Sequence, residues 1–168
     1  MNSSGGRVIG RFLEEAIERA GLGSIRESRR RGDLDAVRSV LEKLGEEALD
    51  LLTLGAVADA VRAEENGDVV RIHPHGAQDD ATREAQEAVT WIRECTSELD
   101  LLRKVAIARV TGPSGCRVGV DWGRHGLELA QVALGFGATD LIGPITTKAG
   151  LVIHEDDKKK VKGLGMVA

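Results

Sequence analysis

LDLLRKVAIARVTGPSGCRVGVDWGRHGLELAQVALGFGATDLIGPI, residues 99–145, is the stretch on which the fold turns. Ser97, with Asp100 three residues on, forms a capping box that opens a helix from Leu99 to about Val110. Thr111-Gly112-Pro113-Ser114-Gly115 is a turn. Arg117-Val118-Gly119-Val120 then reads as a strand, and Gly126 to Phe136 as a helix that Gly137 closes. Asp140-Leu141-Ile142-Gly143 is a second short strand, limited by Pro144. Helix, strand, helix, strand in this order predicts parallel strands joined by crossover helices, and so an α/β fold.

Upstream, the chain turns helical. Residues 1–6 are small and polar, and Val8, Ile9, Phe12, Leu13, Ala16, Ile17 and Ala20 recur at helical spacing until Gly21 and Gly23. Arg26 to Arg31 reads as a basic turn ending in Gly32-Asp33. Val37, Leu41, Leu44, Ala48, Leu51, Gly55 and Ala58 alternate spacings of three and four along one apolar stripe. Gly45 and Gly55 interrupt it, each either a break between helices or a point of close packing. Asn66-Gly67-Asp68 is a turn, and Val69 to Ile72 a strand closed by Pro74 and Gly76. Asp79 or Asp80 caps a helix whose inner face is predicted to carry Ala81, Ala85, Ala88, Val89 and Ile92. Leu151-Val152-Ile153 is a last strand candidate before a tail of Asp156-Asp157 and lysines. The expected organisation is a helical region over 1–64, a small α/β region with a mostly parallel sheet over 65–155, and a charged tail over 156–168.

Composition narrows the function. A net charge of −4 argues against a dedicated nucleic-acid binder and a polybasic membrane-surface protein. No window approaches the roughly 18–20 apolar residues of a membrane helix, and the first twenty residues lack the apolar core of a secretory signal. The expectation is a cytoplasmic protein, in which Cys95 and Cys116 are free thiols. Aromatics make up only 2%, so the core must come from Leu, Val, Ile and Ala.

Two segments together resemble a known family. Leu51–Ile72, LLTLGAVADAVRAEENGDVVRI, is similar to the entry segment of the radical-SAM enzymes of the futalosine route to menaquinone, aminofutalosine synthase and dehypoxanthine futalosine cyclase. There, a helix with an L-x-x-L-G-x-x-A-x-x-V-R pattern leads through a Gly-Asp turn into the first barrel strand. Leu99–Ile145 resembles the closing segment of the same family through Ala108, Arg109, Trp122, Gly126, Leu129, Ala130, Gln131, Ala133, Leu134, Phe136, Gly137, Ala138, Asp140, Leu141 and Gly143. The resemblance implies a remnant of a radical-SAM barrel, its first and last strands joined after internal loss. Three cysteines in a C-x3-C-x2-C run should follow the strand at Ile72, where this chain has His73-Pro74-His75-Gly76. Two distant cysteines cannot supply a [4Fe–4S] cluster, so no radical-SAM chemistry and no cofactor are expected, and none of the family's catalytic residues carries over. A closed eight-stranded barrel needs about 200–250 residues, more than this chain offers.

Among polar groups, His73 and His75 after the first strand form a candidate metal pair, needing a third ligand such as His125, Asp121 or His154. Without that third ligand they are two loop histidines. Asp121, Trp122, Arg124 and His125 stand where a strand ends and a helix begins, the edge at which α/β sheets bind ligands. The plain reading is a strand-to-helix turn with an Asp cap and a packed Trp. Thr146 and Lys148 follow the next strand at the same edge, as an anion site or a polar loop. Gly112–Cys116 is not a P-loop, Gly135-Phe136-Gly137 ends a helix instead of opening one, and Cys116 reads as a buried thiol with no base nearby in sequence. The expected function is a non-catalytic radical-SAM-like module that binds a small molecule, or a partner or second copy through an open sheet edge, with a link to menaquinone metabolism implied by the resemblance. The alternative is a small metal- or anion-dependent enzyme around His73, His75, Asp121 and His125.

Overall fold

The computed structural model describes residues 4–45, 48–76 and 80–145. Four helices come first: α1 (Ser4–Arg19), α2 (Ser24–Arg30), α3 (Leu34–Leu44) and α4 (Leu51–Asn66). There follow β1 (Arg71–Pro74), α5 (Asp80–Glu87), β2 (Val89–Ile92), α6 (Glu98–Thr111), β3 (Arg117–Asp121), α7 (Trp122–His125), α8 (Leu127–Leu134) and β4 (Asp140–Gly143). All the pairings are parallel, and the sheet order is β1-β4-β3-β2. This is the small α/β fold expected from the alternation in residues 99–145. No helix among the described residues is long and apolar enough to cross a membrane.

Local signals set most boundaries. Asp33 and Asp50 accept from the amides of Ala36 and Thr53 at 3.0 and 2.8 Å, opening α3 and α4. Ser97 accepts from Asp100 N at 3.1 Å and Asp100 accepts from Thr96 N at 2.8 Å, the reciprocal cap predicted for α6. Beyond α8, Ala138 N reaches Ala133 O and Gly137 N reaches Leu134 O, with Gly137 at φ +101°. That is a Schellman exit, so Gly137 closes the helix as its position implied.

One open reading is resolved and three expectations need correction. The apolar stripe across 37–58 is two helices, broken at Gly45 (φ +76°), whereas Gly55 stays helical. A Cβ at Gly55 would lie 2.6 Å from the Phe136 ring, so of the two readings open in sequence Gly45 is the break and Gly55 the close contact. Arg26–Arg31 is not a turn: Ser24–Arg30 is helical. Arg29 there is buried, and its guanidinium donates to the carbonyls of Val110 and Gly112 at 2.8 and 2.7 Å while pairing with Glu65. Strand β1 starts at Arg71, two residues late, and runs through Pro74; as an edge strand it tolerates a residue with no N–H. The helix expected to carry Val89 and Ile92 ends at Glu87, and Val-Thr-Trp-Ile forms β2. β-branched and aromatic side chains favour a pleated surface, and pairing with β3 overrides the helical spacing. Ala81 and Ala88 are exposed accordingly. The Leu151–Ile153 strand candidate, Asp79 and the charged tail lie outside the described residues.

The connection from β1 to β2 crosses the whole sheet, and the next two return one strand at a time. Crossovers of one hand running in opposite directions place their helices on opposite faces. The contacts agree. α6 and α8 pack Leu101, Val105, Ala130 and Ala133 on Val118, Val120 and Leu141. α5 meets the other face, where Trp91 Nε1 donates to Gln86 O at 2.8 Å and Arg117 Nη1 to Ala85 O at 3.1 Å. The N-terminal helices add a second apolar cluster of Leu22, Ile25, Val37, Leu41, Leu54 and Val57 against Ala106 and Val110 of α6, and Phe136 packs against both clusters.

Candidate functional site

A polar network lies within the α5 face of the sheet. Asp140, at the first position of β4, is fully buried. It accepts from His73 Nε2 at 2.7 Å, from Thr139 Oγ1 at 2.7 Å and from the Arg117 guanidinium. Burial alone raises a carboxyl pKa; here these donors overcome it and hold Asp140 down at about 2. The network ties β1, β4 and β3 together. His73 is engaged within it: its Nε2 is taken by Asp140 and its ring meets Trp91 edge-on at 5.5 Å. His75 points elsewhere, its Nε2 3.2 Å from Asp121 Oδ2, and its side chain is 44% exposed. Among the described residues no three His, Cys, Asp or Glu side chains group so as to hold a metal. The two cysteines sit apart, Cys95 beside His125 and Cys116 beside Arg109, so the residues do not fit an iron–sulfur cluster.

The C-terminal edge of the sheet opens into a cleft of about 710 Å³ between the strand ends and α5. Asp121 anchors it: one carboxylate oxygen accepts from Gly123 N at 2.8 Å, capping the turn of α7, and the other meets His75. Arg83, Arg93 and Arg124 line the cleft, with Trp91 as its apolar wall. Arg83 is paired with Asp80, whereas Arg93 and Arg124 are exposed and make no ion pair with the described residues. Trp91 lies across Gly119, where a Cβ would come within 2.2 Å of its ring. Trp122 lies similarly across Gly143, 2.3 Å from where a Cβ would stand, so its indole is packing under the site.

Of the residues expected at this edge, Asp121, Arg124 and His75 line one cleft, and His125 faces a second opening beside it. His73 lies beneath, inside the sheet. Thr146, Lys148 and His154 fall outside the described residues. Sequence reasoning passed over Arg83 and Arg93, because residues 81–92 were read as one helix with an apolar inner face. The run Val89-Thr90-Trp91-Ile92 was the signal that a strand ends there and that Arg93 follows it to the ligand edge. Compared with known proteins, the chain matches no family model, no curated protein and no solved structure.

Proposed function

We propose that this chain is a small-molecule-binding module that holds an anionic ligand at the C-terminal edge of its parallel sheet. One observation carries the reading. Two arginines from the ends of adjacent strands, Arg93 after β2 and Arg124 after β3, line one cleft without an ion pair to any described residue, although Asp121 and Glu87 line the same cleft. Paired guanidiniums suit carboxylate or phosphate oxygens, and the Trp91 ring offers an apolar body for the rest of a ligand. Asp121 and His75 opposite supply an acceptor and a titratable donor that orient it.

The descent from a radical-SAM barrel, and with it the link to menaquinone biosynthesis, belongs to this proposal. What supports it is the strand order, in which the first strand pairs with the last and the two preceding strands follow outward. A barrel seam with its middle strands removed has that order. The two edge strands would offer a second copy or a protein partner few backbone bonds, being four residues each and one ending in Pro74. That favours the small molecule over strand addition.

Isothermal titration with inorganic pyrophosphate and with citrate tests the reading. Saturable one-to-one binding, weakened at least tenfold in Arg124→Gln and in Arg93→Gln with melting temperature retained, is expected. No heat at millimolar anion, or binding indifferent to both substitutions, would refute it. A dimeric mass in native spectrometry that collapses on Thr90→Pro would replace it with pairing through the β2 edge.

A further inference from the structure

Beside the anion cleft, a second opening of about 550 Å³ is lined by Cys95, His125, Lys104, Arg93 and Arg124. We infer that Cys95 and His125 form a thiol–imidazole pair that makes Cys95 the reactive thiol of this chain, open to exchange with small disulfides bearing negative charge. The inference goes beyond the ligand reading: its reacting atoms, Cys95 Sγ and His125 Nδ1, are different, while Arg93 and Arg124 border both openings.

The topology brings the pair together. Cys95 follows the end of β2 by three residues and His125 the end of β3 by four, and these neighbouring parallel strands are paired Ile92 to Val120. Cys95 Sγ lies 3.8 Å from His125 Nδ1, within reach of a sulfur hydrogen bond. His125 Nε2 is buried and bonds to no described residue. The thiol is therefore the ring's one polar partner among the described residues, and an imidazole so placed can take the thiol proton. The charged side chains lining the same opening are mostly cationic. Arg93 and Arg124 are unpaired, while Lys104 donates to Glu94 O at 2.8 Å and pairs with Asp100 at 3.0 Å. Glu94 is the nearby acid lining the same opening. Positive surroundings favour thiolate. Cys116 is the internal contrast: burial pushes its thiol up despite Arg109 Nη1 at 3.4 Å.

The exchange step balances without a further reactant. The Cys95 proton passes to His125, and the thiolate attacks one sulfur of the incoming disulfide. A new S–S bond forms to Cys95 as the old one breaks, and the departing thiolate takes the proton from His125. Cys95 is oxidised to a mixed disulfide, and half of the incoming disulfide is reduced to thiol. Arg93 and Arg124 select negatively charged disulfides by attraction.

The test is carbamidomethylation of the folded full chain by iodoacetamide from pH 5 to 10, each cysteine read by peptide mass spectrometry. Cys95 should react faster than Cys116 at pH 7, by roughly threefold or more. His125→Gln should slow Cys95 at that pH by a similar factor, with the Cys116 rate reporting that the fold is kept. Oxidised glutathione should place one adduct on Cys95, and the double substitution Arg93→Gln, Arg124→Gln should slow that reaction more than it slows neutral hydroxyethyl disulfide. A wild-type Cys95 no faster than Cys116 at pH 7 overturns the inference whether or not the His125 variant folds. An unchanged Cys95 rate in folded His125→Gln does the same.

Discussion

Asp140 is fully buried and yet ionised, because His73, Thr139 and Arg117 converge on its two oxygens. Its pKa of about 2 lies below the roughly 3.9 of an unfolded aspartate, so the unfolded chain binds the proton more readily. The charged network therefore contributes its full stability above about pH 4, and loses it as pH falls through 2. Asp140→Asn should cost about 3 kcal/mol at pH 7 in urea unfolding, since Arg117 and His73 lose their shared acceptor. The variant should also show a flatter dependence of melting temperature on pH between 4 and 2 than the parent chain. None of this could be read from the sequence. His73 and Asp140 are 67 residues apart, and the spacing of His73 and His75 pointed to a shared metal ligand set. Alternation along a strand would keep residues two apart on one face, but β1 ends at Pro74 and His75 has left the sheet.

At the level of the element, helix α4 shows how a glycine can be fixed by its neighbour. Gly55 faces the Phe136 ring at a distance that leaves no room for a methyl group. Gly55→Ala gains helix propensity of nearly 1 kcal/mol and loses more to displacement of Phe136, for a net destabilisation of about 1–2 kcal/mol by thermal or urea unfolding. Caps and turns were legible because they are local: Ser97 with Asp100 and Gly137 each state a boundary within five residues. Strand β2 was not, because four residues offer too few positions to separate a period of two from one of 3.6. The same short reading hid Arg93, and with it half of the cationic lining of the cleft. Cys95 and His125 escaped for the opposite reason, since only the pairing of β2 with β3 brings residues 30 apart into contact.

At the scale of the whole molecule, the α/β class followed from the order of helices and strands, while the sheet order could not. Nothing local tells β1 to pair with β4 and leave β2 at the far edge. Position in that sheet brings His75, Asp121, Arg93 and Arg124 to one end of the fold, so the candidate site was legible in its β3 part and not in its β2 part. The joining of the helical segment to the sheet is equally non-local. Arg29 reaches 81 residues along the chain to Val110 O, and 83 to Gly112 O, while Glu65 accepts from Gly115 N at 2.8 Å. Urea unfolding followed by far-ultraviolet ellipticity and by tryptophan fluorescence should therefore give coincident midpoints, since both tryptophans report the sheet and most of the helix lies before it. Midpoints separated by more than experimental error would show that the two parts melt independently.

The grip of Arg29 has a consequence for how the chain acquires its structure. The carbonyls that end α6 are synthesised long after the guanidinium that satisfies them, so this contact cannot close until residues 110–112 have left the ribosome. Arg29→Ala then acts twice: it frays the end of the helix on which the sheet is built, and it loosens the hold of α2 on that end, which Leu22, Ile25 and the pairs of Arg26 and Arg30 with Glu64 keep in part. Such a variant should expose amide hydrogens of α2 and of the last turn of α6 to exchange together, two distant stretches reporting one lost latch.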